Sequence, residues 1–132
     1  MSGANARALL RAFERWNASD LDATLEEVTD DVRWYPGEVF PDFSEVYEGR
    51  EGVLAFFDSF MEPWEWISVE IVELRELGDQ VVVHVSFRAE SHEGADVDIN
   101  LGQRYRFREG QVARFHGYAT FEQALEAARA DA

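Results

Sequence analysis

Ala6, Leu9, Leu10, Phe13 and Trp16 recur at the three- and four-residue spacing of one helix face, and they predict a first amphipathic helix to about Trp16. Asn17-Ala18-Ser19-Asp20 breaks that pattern. Ser19 then reads as an N-cap, with Asp20 and Asp22 in the first turn of a short second helix carrying Leu21, Leu25 and Val28. Thr29-Asp30-Asp31 ends it, and Val32-Arg33-Trp34-Tyr35 reads as a short strand stopped by Pro36. Residues 36–46 form a loop that also holds Val39, Phe40 and Phe43. Gly49 through Gly52 open a third helix, whose Val53, Phe56, Phe57 and Phe60 make an i, i+3, i+4, i+7 stripe before Pro63 ends it.

From Trp66 onward the period changes from helical to alternating. Residues 66–76, 80–90, 96–107 and 111–119 predict four strands, separated by Leu77-Gly78-Asp79, a turn over 91–95 and Arg108-Glu109-Gly110. Residues 121–130 return to a helical, Ala-rich pattern. Val81, Val83, Val85, Phe87 and Ala89 share one strand face; Gln80, His84, Ser86, Arg88 and Glu90 share the other, with Val82 its lone apolar member. Val97, Ile99, Leu101, Tyr105 and Phe107 likewise oppose Asp96, Asp98, Asn100, Arg104 and Arg106. One buried and one wet face is the signature of an antiparallel sheet. The expected architecture is α+β, with helices packed into the concave side of a curved antiparallel sheet.

The length of 132 residues suits one domain, 1–132, and 46% apolar residues suffice for its core. No apolar run approaches the roughly 18–20 residues of a membrane span. No charged-then-apolar signal precedes the first helix, so cytoplasmic residence is the expectation. With no Cys and no Lys, thiolate nucleophiles, disulfides, Cys–metal sites and Schiff-base or phosphate-loop lysines are all excluded. A net charge of −15 repels phosphate backbones and anionic membranes, which leaves a neutral or cationic small ligand as the better fit.

The ordered motifs Phe13-Glu14-Arg15-Trp16-Asn17-Ala18-Ser19-Asp20-Leu21-Asp22, Asp31-Val32-Arg33-Trp34, Tyr47-Glu48-Gly49-Arg50-Glu51-Gly52-Val53, Glu62-Pro63-Trp64-Glu65, Arg108-Glu109-Gly110-Gln111-Val112 and Ala124-Leu125-Glu126-Ala127-Ala128 cover nearly the whole chain. In this order and spacing they resemble the nuclear-transport-factor-2-like superfamily, specifically its SnoaL-like branch. The resemblance implies a cone-shaped α+β barrel of the cystatin-like type around a pocket. It does not imply one function, since the superfamily holds ketosteroid isomerases, polyketide cyclases, epoxide hydrolases, dehydratases and non-catalytic binding domains. In the similar isomerases a helix-one Tyr and a penultimate-strand Asp form an oxyanion pair, and a base ends the first strand. Those positions fall here on Ala12, Gln103, and Pro36 or Tyr35, so that chemistry is not expected. The Asp that similar cyclases show before the last helix is replaced by Thr120, a poor general base.

Gln103 interrupts an apolar face and is expected to point into the pocket, either as a satisfied core amide or as a ligand-orienting group. Phe13, Trp34, Phe57 and Tyr105 would line that pocket, and the same stripe also suits ordinary core packing. The candidate acid–base groups are Tyr35, Glu38, Tyr105 and His116. His116 points outward if residues 108–110 form a three-residue loop with a bulge at Gly110. It points toward Gln103 if Glu109-Gly110 form a two-residue turn. The first is expected because it buries Phe115 rather than Arg114. His84 belongs to the polar face, and His92 sits in an acidic turn without metal-ligand spacing. Phe40, Phe43, Trp64 and Trp66 either close the pocket mouth or serve a dimer contact.

Three readings follow: a binding domain for a neutral hydrophobic molecule, an isomerase, cyclase or hydratase acting on one, and a protein-interaction module. No cofactor or metal is expected. A homodimer is expected through the outer sheet face, where Asp96 and Asp98 could meet Arg104 and Arg106 of a second copy.

Overall fold

The structure, a computed structural model, describes residues 3–131; residues 1, 2 and 132, which complete the expected domain, lie outside the described residues. Helix α1 spans Ala4–Asn17 and α2 only Leu21–Leu25. Then come β1 (Val28–Tyr35), β2 (Tyr47–Glu48), α3 (Gly49–Met61), β3 (Trp64–Leu77), β4 (Gln80–Ser91), β5 (Asp96–Arg108), β6 (Gln111–Tyr118) and α4 (Phe121–Ala130). The six strands form one sheet in the order β2-β1-β6-β5-β4-β3, unclosed between β2 and β3. Every junction is antiparallel except β1–β6, which is parallel.

The alternation along β4 and β5 becomes the wall of the core. Val81, Val83, Val85, Phe87 and Ala89 are buried with Leu101, Tyr105 and Phe107 on the concave face. Leu9 of α1 and Val53, Phe56 and Phe57 of α3 pack into the same cluster. Bulges at Val72 in β3 and Ala113 in β6 break the register and bend the sheet around the helices.

Three local readings are corrected. Asp20, not Ser19, caps α2, accepting a hydrogen bond from Ala23 N at 3.1 Å, while Ser19 takes a left-handed φ of 65° in the turn before it. Val28 and Thr29-Asp30-Asp31 belong to β1 rather than to the end of α2, because β1 finds a partner in β6. Glu109 (φ 51°) and Gly110 (φ 82°) form a two-residue turn, not a three-residue loop. The Ala113 bulge then restores the register, so Phe115 faces inward beside Tyr105 and His116 faces out beside Arg104.

The outer face is not uniformly wet. α4 lies on it and buries Val82 against Ala124, Leu125 and Ala128. Gly102 permits this approach, since a Cβ there would stand 2.2 Å from Thr120 O. Gln80 and Arg104 are buried beneath the helix as well. Gln80 Nε2 donates to Ala128 O at 3.0 Å, and Arg104 donates to Gln80 Oε1, Tyr118 Oη and Asp131 Oδ2. Arg106 is engaged by Asp79 and Asp131, so the basic pair expected to face a second copy is paired within the chain. Arg88 and Asp98 are register partners across the β4–β5 hairpin. Among the described residues no helix is long and apolar enough to cross a membrane.

Arg104→Ala would strip the donor from Gln80 Oε1 and Tyr118 Oη beneath α4. The expected loss is about 2 kcal/mol by urea unfolding. An unchanged midpoint would show that α4 stays docked through its apolar contacts alone.

Candidate functional site

Between the helices and the concave face lies a cavity of about 110 Å³. That is on the scale of the roughly 150 Å³ apolar cavity that holds a benzene molecule. Its wall is aromatic because three elements converge there: the inward face of β5–β6, the end of β1, and the Phe stripe of α3. Trp34 stacks on Phe115 at 4.1 Å and meets Phe57 edge-on at 5.6 Å. Tyr105 lies 5.1 Å from Phe115 and 6.2 Å from Phe13. All five residues expected to line a pocket, Phe13, Trp34, Phe57, Gln103 and Tyr105, line this cavity.

Few polar atoms break the apolar surface. Tyr105 Oη donates to Gln103 Oε1 at 2.7 Å, and among the described residues the Gln103 NH₂ group has no partner. Burial pushes the Tyr105 hydroxyl above its ordinary value near 10, so it keeps its proton. The indole N–H groups of Trp16 and Trp34, both in the cavity wall, are buried and unpartnered. Ala12 and Pro36 line the cavity together with Gln103, so the three positions matched to the isomerase residues converge without a proton-moving side chain.

The other acid–base candidates lie elsewhere. Tyr35 and His116 are cross-strand partners stacked at 4.4 Å with an 8° tilt, outside the cavity wall. Glu38 is exposed on the loop after β1. Thr120 serves as the N-cap of α4, accepting from Gln123 N at 3.1 Å. Phe40 lines the cavity and packs edge-on against Phe60 at 5.5 Å, while Phe43 packs on Phe56. Trp64 packs on Phe87, and Trp66 is 46% exposed with its N–H on Glu90. His84 bonds Asn100 across the outer face, and His92 bridges Glu65 and the Glu62 carbonyl. Among the described residues no group of three or more His, Asp or Glu could hold a metal ion.

Glu27 went unnoticed in the sequence, where Glu26-Glu27 looks like a surface pair on a helix. α2 ends at Leu25, and the turn into β1 swings Glu27 inward. It is buried and lines the cavity. Arg11 binds both of its oxygens at 3.3 Å, and Arg15 binds Oε2.

The family model described as SnoaL-like domain matches residues 9–115. No curated protein matches the chain. Among solved structures, TerC co-crystallised with polyporic acid superposes with a TM-score of 0.82 at 20% identity, covering 94% of this chain and 97% of that one. A nuclear-transport-factor-2-like protein of unknown function from Burkholderia pseudomallei K96243 gives 0.82 at 20% identity, with 96% and 97% covered. Rv0760c from Mycobacterium tuberculosis, in complex with estradiol-17β-hemisuccinate, gives 0.74 at 21% identity, with 87% and 92% covered. At these identities the likeness establishes the fold.

Burial, reinforced by Arg104 and Arg114, lowers the pKa of His116 from 6.5 to about 4. Between those values the unfolded chain takes up a proton that the folded one refuses, so stability is full above pH 6.5 and falls as pH drops toward 4. The His116 ring is expected to titrate near pH 4 by nuclear magnetic resonance, and His116→Phe should shrink the acid loss. A midpoint near 6.5 would contradict the burial assigned to it.

Proposed function

Because this chain belongs to the SnoaL-like domain family, we propose that it binds a neutral, mainly apolar small molecule in the aromatic cavity, with Gln103 orienting it. The observation that carries this reading is the state of the Gln103 amide. Its oxygen is taken by Tyr105 and, among the described residues, its NH₂ group is free in an apolar wall, so it offers donors to a carbonyl or hydroxyl oxygen. Trp16 and Trp34 add two unpartnered N–H groups to the same wall. A site of this kind discriminates by volume and by satisfying donors rather than by moving protons.

Two features favour binding over acid–base chemistry. Tyr105 holds its proton, and the Glu27 carboxylate is engaged by two guanidinium groups. The ligands bound by TerC and Rv0760c, polyporic acid and estradiol-17β-hemisuccinate, support a ring-bearing molecule as the guest. The −15 net charge argues for a neutral one.

The reading includes a homodimer formed through the part of the outer face that α4 leaves open. Trp66 is exposed there opposite Glu90, Ser68 stands opposite Arg88, and Glu70, Ser86 and Asn100 form the next row across β3, β4 and β5. Light scattering at micromolar concentration should report twice the chain mass; a monomer would overturn this part alone.

Gln103→Leu replaces the amide by an apolar group of similar size. It should weaken binding of 2-acetylnaphthalene by about 1–3 kcal/mol in calorimetric titration and leave naphthalene nearly unaffected. Equal losses for both compounds, or collapse of the fold, would assign Gln103 to the core instead.

A further inference from the structure

Glu27 is a carboxylate in the wall of an otherwise apolar cavity, at the end formed by α1 and α2 and away from Gln103. Its neighbours in the wall are Leu25 and Val28, and its side chain is only 10% exposed. A buried carboxylate is an unusual filling for such a wall. Replacing a buried ion pair or triad by apolar groups of similar volume is often neutral or stabilising. Arg11 and Arg15, with side chains 53% and 37% exposed, could remain solvated without it.

The hydrogen bonds at this end leave room for one more donor. A carboxylate offers about four lone-pair sites. Arg11 and Arg15 together fill three of them. Beside it in the wall, Thr24 Oγ1 spends its proton on Asp20 O at 2.8 Å, so it too presents only lone pairs. The two oxygens make an acceptor patch, whereas the Gln103 end presents donors. The ends are far apart. Val112, beside Val28, and Gly117, beside Gln103, are five positions apart on β6, on the order of 15 Å at about 3.3 Å per residue.

We infer that the α1–α2 end of the cavity is a second polar subsite, where Glu27 accepts a hydrogen bond from a hydroxyl group on the bound molecule. This rests on the binding reading above and narrows it. The ligand class is an apolar alcohol or phenol, and an acceptor oxygen on the same molecule would lie toward Gln103. Arg11 and Arg15 are positioning residues: they hold the carboxylate ionised and turned so that its free lone pair meets the cavity.

Calorimetric titration of the whole chain with naphthalene, 2-naphthol, 2-methoxynaphthalene and 2-acetylnaphthalene tests this. 2-Naphthol should bind about tenfold more tightly than naphthalene or 2-methoxynaphthalene, as a hydrogen bond to a charged acceptor allows. In Glu27→Leu the ratio of 2-naphthol to naphthalene affinity should fall to about one. The unsubstituted chain decides the matter even where the variant does not fold. Binding of naphthalene and 2-acetylnaphthalene with no advantage for 2-naphthol would overturn the subsite and leave the binding reading standing. Failure of all four compounds to bind would overturn both.

Discussion

The structure depends on a single constraint: one face of β4 and β5 is apolar but for Gln103 and must be covered from the concave side. Burying Val81, Val83, Val85, Phe87, Leu101, Tyr105 and Phe107 removes a large apolar area from water at roughly 25 cal/mol per Å². α1 and α3 supply the cover, and the curvature follows from wrapping around them. Aromatic side chains meet edge-on or offset where the helices face the sheet. The cavity lies beside Trp34, Phe57, Phe115 and Tyr105.

The same constraint accounts for the outer face. A six-stranded sheet covered on one side exposes its other side to water, and the chain handles this unevenly. α4 closes over the end that carries Val82, and Arg104 satisfies the polar groups trapped beneath it. The long edge strand β3 is shielded where Asn17 pairs with it through Nδ2 to Val69 O and Oδ1 from Val69 N. That side chain takes the place of a neighbouring strand, which limits edge-to-edge pairing. Asn17 thus both ends α1 and covers β3.

Much of this was legible in the residues. The period-two faces of β4 and β5 and the Phe stripe of α3 each carry their own signal, and their elements lie where that signal predicts. Val82, the one apolar residue on a face read as wet, lies where α4 docks. What stayed hidden depends on contacts distant in sequence. Val28–Asp31 resembles a helix ending until Val28 pairs with Val112 of β6 and the next three residues follow as an irregular stretch of β1. The Glu109-Gly110 turn forecasts an inward His116 unless the bulge at Ala113 is known. Glu27 is the clearest case, because a Glu-Glu pair carries no mark of which member turns inward. Trp34, Gln103 and Tyr105 were readable from strand alternation and Phe13 and Phe57 from helical spacing, while Glu27 sits at a turn where neither period holds.

In a crystal of the protein soaked with 2-acetylnaphthalene, the fused rings are expected in the cavity against Trp34 and Phe57, with the carbonyl oxygen within hydrogen-bond distance of Gln103 Nε2. An empty cavity, or a ligand whose carbonyl points away from Gln103, would contradict that placement.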